Sequence, residues 1–258
     1  MMRLLALLCC AAVPAAADVG PLPRADVYVL GEVHDNPAHH AMQAALVARI
    51  APKALVFEMI TAADAAAVVD ITDADALADA LRWDEKGWPD FTMYHPIFLA
   101  APAATIVGAD VARDDLMAAM ASDAASVLGV GTVGFNLWPR SGAVYDRLVA
   151  DQRDAHCGML PDDMLPGMVE AQRLRDATLA LAARDANDDT GGPVVVITGN
   201  GHARTDTGVP ALLAQLAPDL TVWSLGQLEA APDGDAPFDA VNVTDPFDRP
   251  DPCLTLAR

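Results

Sequence analysis

The sequence predicts an α/β protein: a mainly parallel sheet with helices on both faces, plus a smaller helical subdomain. Three observations carry this. Short apolar runs such as Val194-Val195-Val196-Ile197 alternate with helical segments. The runs are apolar throughout rather than at every second residue, as strands covered on both faces are. The stretch 141–185 reads as two helices with no strand between them. A chain of 258 residues, 53% of them hydrophobic, supplies one large core and excludes wholesale disorder.

The elements follow in order. Val27-Tyr28-Val29-Leu30 is the first strand and ends at Gly31. Pro37 to Ile50 is a helix, with Asn36 as N-cap and Pro37 at its first position. Ala54-Leu55-Val56-Phe57 is a second buried strand. Residues 61–82 are rich in Ala and Asp and helical, interrupted at Thr72-Asp73. Trp83 to Pro89 is a loop, and Met93 to Ala101 a short helix. Thr105-Ile106-Val107 is a third strand, ending at Gly108, and Arg113 to Leu128 is helical. Helices over 141–156 and 164–185 flank the loop Gly158 to Asp163, as a small subdomain or lid. Asn187 to Gly192 is a polar turn. The strand Val194–Ile197, a helix from Pro210 to Leu216 and the strand Thr221-Val222-Trp223 come next. Pro232-Asp233-Gly234 is a turn, and the chain after Val243 is irregular.

Residues 1–17, MMRLLALLCCAAVPAAA, place one Arg before an apolar run and end in Ala15-Ala16-Ala17. This is the pattern of a secretory signal peptide, which leaves 18–258 as the mature domain, periplasmic or secreted. The run is too short to span a bilayer, so no transmembrane segment is expected after its removal. Cys9 or Cys10 would suit a lipoprotein anchor, but bulky leucines precede Cys9 where such processing uses small residues. The mature chain keeps Cys157 and Cys253. In an oxidising compartment these form a disulfide closing a long loop; the alternative is two separate buried thiols.

Asp and Glu number 36 against 16 Lys and Arg, a net charge of -20. That excludes nucleic acid, whose phosphates need clustered cations, and argues against docking on anionic lipid. The acid is nearly all Asp: Glu occurs only at Glu32, Glu58, Glu85, Glu170 and Glu229.

Histidine is equally sparse, at positions 34, 39, 40, 95, 156 and 202. Ligands of open α/β sheets bind beyond the carboxyl ends of the strands. The first strand runs into Gly31-Glu32-Val33-His34-Asp35-Asn36, the second into Glu58, the third into Gly108-Ala109-Asp110. Val194–Ile197 runs into Thr198-Gly199-Asn200-Gly201-His202-Ala203-Arg204. A parallel sheet gathers these ends at one edge, with His39 and His40 close by. Imidazole and carboxylate are ligands for zinc and related divalent metals, so His34, Glu58 and His202 form a candidate metal site. With Glu32 they form a candidate catalytic set, in which a Glu serves as general base and a metal activates water. Arg204 suits a carboxylate partner. Plainer roles compete: solvation of His39 and His40, a helix N-terminal charge for Glu32, surface positions for His95 and His156, and packing for Trp83 and Trp88. GxSxG, HExxH and GxGxxG are absent.

Gly31–Asn36 with His39-His40 resembles the opening motif of ChaN-like proteins. These are grouped with Tiki-type proteases and erythromycin-esterase-like hydrolases. The likeness continues in Phe57-Glu58-Met59, in Trp88-Pro89 through Tyr94 and Pro96, and in His156-Cys157-Gly158-Met159-Leu160-Pro161. It resumes in Ala171-Gln172-Arg173 with Arg175-Asp176, in Gly199–Arg204, and in Gly208-Val209-Pro210. The resemblance implies haem binding with a role in haem or iron acquisition. It implies an iron ligand of the Tyr type, for which Tyr94 is the candidate, with Met, His95 and His156 as rivals and Arg204 as propionate partner. The related hydrolases imply the alternative, a metal-dependent hydrolase on Glu32, His34, Glu58 and His202. The expected partner is haem or another small ligand, and homodimerisation stays open.

Overall fold

In the computed structural model, residues 20–68, 71–129, 141–251 and 253–254 are described. The leader expected over 1–17, with Cys9 and Cys10, lies outside them. The described strands are β1 (Val27–Glu32), β2 (Ala54–Phe57), β3 (Thr105–Gly108), β4 (Val194–Gly199), β5 (Val222–Leu228) and β6 (Ala240–Val243). They form one sheet in the order β3-β2-β4-β1-β5-β6. Every neighbouring pair is parallel, with Val27 opposite Val194 and Leu30 opposite Ile197 in the central pair. The parallel α/β expectation therefore holds.

The helices are α1 (Pro37–Ile50), α2 (Ala62–Ala65), α3 (Ala74–Ala80), α4 (Phe91–Ala100), α5 (Arg113–Ala121), α6 (Ala124–Leu128), α7 (Ala143–Ala155), α8 (Leu165–Thr190) and α9 (Val209–Leu216). A 3-10 turn covers Trp83–Lys86. The strand pleat divides the core in two. Leu30, Leu55, Phe57 and Ile197 pack with Leu46 of α1 and Phe98 of α4. Val29, Val56 and Val196 pack with Leu179, Ala180 and Ala183 of α8 and Leu212 of α9. Burial on both faces explains why these strands read as unbroken apolar runs.

Caps set several helix starts. Asn36 Oδ1 accepts from the Ala38 amide at 3.0 Å, with Pro37 next in line, as expected. Thr61, Asp73 and Asp90 cap α2, α3 and α4 in the same way. The helix expected over Arg113 to Leu128 is two, because Asp123 stops one and caps the next, accepting from the Ser126 amide at 2.6 Å.

Two further expectations fail. The polar turn expected at 187–192 is the last turn of α8, which runs to Thr190 and ends on Gly191 in the left-handed region. Asn and Asp disfavour a helix locally, but packing of Ala183 and Ala186 on the sheet overrides them. The sheet also extends further: β5 reaches Leu228, and β6 adds an edge strand between the turn at 232–234 and the end after Val243, where no element was expected. Asn242 and the half-exposed edge position remove the apolar signature that marked the other strands.

The helices around 158–163 form as expected, with α7 packed on α8. The disulfide Cys157–Cys253 is present and ties the α7–α8 loop to the chain end.

Candidate functional site

β1 connects to β2 in one direction across the sheet, while β4 connects to β5 in the other. β2 connects to β3 in the same direction as β1 does to β2, so the connections of the neighbouring strands β2 and β4 part beside β4, the kind of crevice in which open α/β sheets bind ligands. Glu32, His34, Glu58 and His202 meet there.

Glu32 is the last residue of β1 and is buried. His34 Nδ1 donates to its Oε1 at 2.8 Å, and the Tyr94 hydroxyl donates to the same oxygen at 2.7 Å. Its other oxygen lies 3.2 Å from His40 Nδ1. Burial opposes ionisation of Glu32, but the hydrogen bonds and charges of His34 and His40 outweigh it and hold the carboxyl at about 2. Glu58 follows β2. Its Oε2 accepts from the Thr198 hydroxyl at 2.7 Å and the Gly199 amide at 2.8 Å. His202 lies between two carboxylates, with Asp176 Oδ1 2.7 Å from Nδ1 and Glu58 Oε1 3.3 Å from Nε2. Burial would favour its neutral form; Glu58 and Asp176 reverse that and push it up to about 10. The same pairing holds Glu58 well below the carboxylate range despite burial. His34, buried beside Glu32 and Glu58, is also shifted upward. Burial pushes Asp176 up, against the pull of His202.

Gly199 keeps this arrangement open. A Cβ there would stand 2.8 Å from His34 Nε2, so a side chain on β4 would displace the ring.

His39 and His40, for which solvation was the plain alternative, are buried. His39 Nδ1 accepts from the Val33 amide at 2.9 Å, which leaves Nε2 to donate to Thr244 Oγ1 at 2.9 Å. Burial lowers its pKa to about 4, so it is a neutral brace for the β1–α1 loop. His40 Nε2 donates to the His34 carbonyl at 2.8 Å and so fixes the same loop.

A cavity of about 260 Å³ opens over Glu58, His202 and His34. Trp88, Asp110, Gln172 and Arg175 complete its wall, with the Trp88 ring 4.9 Å from that of His34. The sequence reading gave no site role to Gln172, Arg175 and Asp176, which project from one side of α8. Two signals were available: their place in the family-like stretch Ala171-Gln172-Arg173 with Arg175-Asp176, and their i, i+3 and i+4 spacing, which α8 also carries on its core face.

The remaining candidates do not line the cavity. Tyr94 is buried beneath the cavity, its hydroxyl spent on Glu32; burial and that carboxylate hold its pKa far above the ordinary phenol value. His95 Nε2 donates to the Thr72 carbonyl at 2.9 Å, away from the strand ends. His156 Nδ1 donates to the Gln152 carbonyl at 2.8 Å, beside the disulfide. Arg204 forms two bonds of 2.9 Å with Asp206, so its fork is already filled.

The three side chains expected to ligate a metal do converge, but as hydrogen-bonded ion pairs. Among the described residues no group of three or more His, Cys, Asp or Glu is arranged to hold a metal ion. Paired with Glu58 and Asp176, the His202 imidazole is held toward its protonated form in this arrangement. In this state the cluster is a set of charges locked together.

Fold and site thus define a parallel α/β protein with a charged pocket at its switch point. The profile of a family described as "Haem-binding uptake, Tiki superfamily, ChaN" matches residues 19–213, and the chain belongs to that family. The fold is similar to that of a solved structure described as "Cofacial heme binding to ChaN of Campylobacter jejuni". The TM-score is 0.61 at 20% identity, with 84% of this chain and 86% of that chain covered. An erythromycin esterase mutant, EreC H289N in its open conformation, aligns with TM-score 0.40 at 11% identity, over 79% of this chain and 70% of that one. No curated protein matches the chain.

Proposed function

We propose that this is an exported haem-binding protein that serves the acquisition of haem or iron. The family match over residues 19–213 carries the reading. The disulfide supports export, since such bonds persist in oxidising compartments. Among the described residues no helix is long and apolar enough to cross a membrane.

The cavity at the strand ends does not enclose a whole porphyrin. At about 260 Å³ it lies below the roughly 300–1,000 Å³ of most small-molecule pockets, and charged side chains dominate its wall. We therefore place haem at the mouth of the cavity, against Trp88, with only its edge inside. Tyr94 must give up Glu32 to ligate iron, whereas His95 and His156 are half-exposed and each holds a backbone carbonyl through one ring nitrogen. Haem bound to this chain supplies iron and redox chemistry; the chain supplies binding and orientation.

Titration of haemin into the purified protein tests the reading. A saturable Soret band is expected, and its absence refutes haem binding. Replacing Tyr94 by Phe, His95 by Ala and His156 by Ala in turn identifies the axial ligand, as the variant whose Soret maximum moves.

A further inference from the structure

Arg175 projects from α8 into the wall of the strand-end cavity and is half-buried. Four other arginines, each at least part-buried or facing a buried carboxylate, are engaged: Arg82 by Asp64, Arg173 by Glu170, Arg204 by Asp206 and Arg249 by Glu229 and Asp35. Arg175 forms no hydrogen bond or ion pair among the described residues. It has acidic neighbours, Asp110 and Asp176, but neither closes on it. Asp176 is turned to His202 at 2.7 Å, and Asp110 lies 3.9 Å from Lys86 Nζ, which offsets its charge. Taking a guanidinium part-way out of water without a partner is costly, and its planar fork of donors matches the two oxygens of a carboxylate, as it does those of a phosphate. Two apolar side chains share the cavity's otherwise polar wall. The Trp88 ring and Val111 line the same cavity. An arginine head group in a cavity that also offers an indole ring and a valine suits a ligand with a carboxylate on a flat apolar body.

We propose that the strand-end cavity is a carboxylate-binding site in which Arg175 grips the carboxylate and Trp88 and Val111 cover the apolar body. The proposal stands on Arg175 and the cavity and does not depend on haem binding. Two sources share this chemistry, a propionate of a porphyrin and a free aromatic acid, and the test separates them.

Benzoate is titrated calorimetrically into the full chain at fixed ionic strength, against chloride as control. Haemin and its dimethyl ester, whose propionates are blocked, are titrated by Soret absorbance. Both series are repeated with Arg175→Gln and Arg175→Lys, each checked for a wild-type melting curve. Saturable benzoate binding weakened roughly tenfold or more in Arg175→Gln, and less in Arg175→Lys, supports a free acid as ligand. Haemin binding weakened to a similar extent by esterification and by Arg175→Gln supports a propionate. Haemin binding that ignores both changes, with no benzoate binding, overturns the carboxylate site and leaves the haem reading intact. Absence of haemin binding alongside Arg175-dependent benzoate binding overturns the haem reading and leaves the carboxylate site.

Discussion

His202 is held by Asp176 on one nitrogen and Glu58 on the other, and its pKa of about 10 stands above the unfolded value of about 6.5. Its contribution to stability is complete below pH about 6.5 and is lost as pH rises through 10. Glu58 is shifted the other way. Its contribution is present above the ordinary Glu value of 4.5 and is lost on acidification. The pair therefore stabilises most between those limits. His202→Gln leaves Glu58 and Asp176 buried without their cation, which costs about 3–5 kcal/mol when both stay charged. Asp176, already pushed up by burial, can take a proton in the variant and bring the cost toward the lower end. Thermal melts from pH 5 to 10 should show a lower Tm and a flatter alkaline decline in His202→Gln than in the wild type. An unchanged Tm with the same alkaline slope would contradict the ion-pair assignment.

At the scale of elements, the C-terminal segment acts on the site through two attachments. Arg249 pairs with Asp35 at 2.7 Å, next to His34, and with Glu229 at the end of β5. Beyond it, Cys253 is bonded to Cys157, 96 residues earlier. Closing a loop of that size stabilises by roughly 2–4 kcal/mol, chiefly by restricting the unfolded chain. The double replacement Cys157→Ser with Cys253→Ser should lower denaturant stability by that amount, and reductant should do the same to the wild type and nothing to the variant. Equal stability of oxidised and reduced protein in urea unfolding would refute it. The pairing was legible because the leader expected over 1–17 takes two of the four cysteines and leaves Cys157 and Cys253. The strands were legible for a related reason: two-sided burial writes an apolar run into the sequence, and strand ends then locate Glu32, His34, Glu58 and His202. What helices contribute was not legible in that way. Gln172, Arg175 and Asp176 are polar residues inside a 26-residue helix. Only the packing of α8 on the sheet decides which of its faces meets the cavity. Likewise β6 is held by its pairing with β5 rather than by its own pattern, and the end of α8 is decided by tertiary burial against local propensity.

For the whole molecule, local and global charge oppose each other. The pocket offers Arg175 to an anion, while the full sequence carries a net charge of -20. Long-range charge acts mainly on encounter, whereas short-range pairing acts on residence. An anionic ligand is therefore repelled on approach and held after arrival. Salt screens the first effect over a Debye length of about 10 Å at 0.1 M and reaches the half-buried pair much less. Association of monomeric haemin, followed by stopped-flow absorbance, should quicken as NaCl is raised from about 0.01 to 0.15 M, with dissociation nearly unchanged. The opposite sign, a rate that falls with salt, would mean that local positive potential at the cavity mouth outweighs the acidic surface. Arg175→Gln separates the two contributions: under the charge division argued above it speeds dissociation and leaves the salt dependence of association in place.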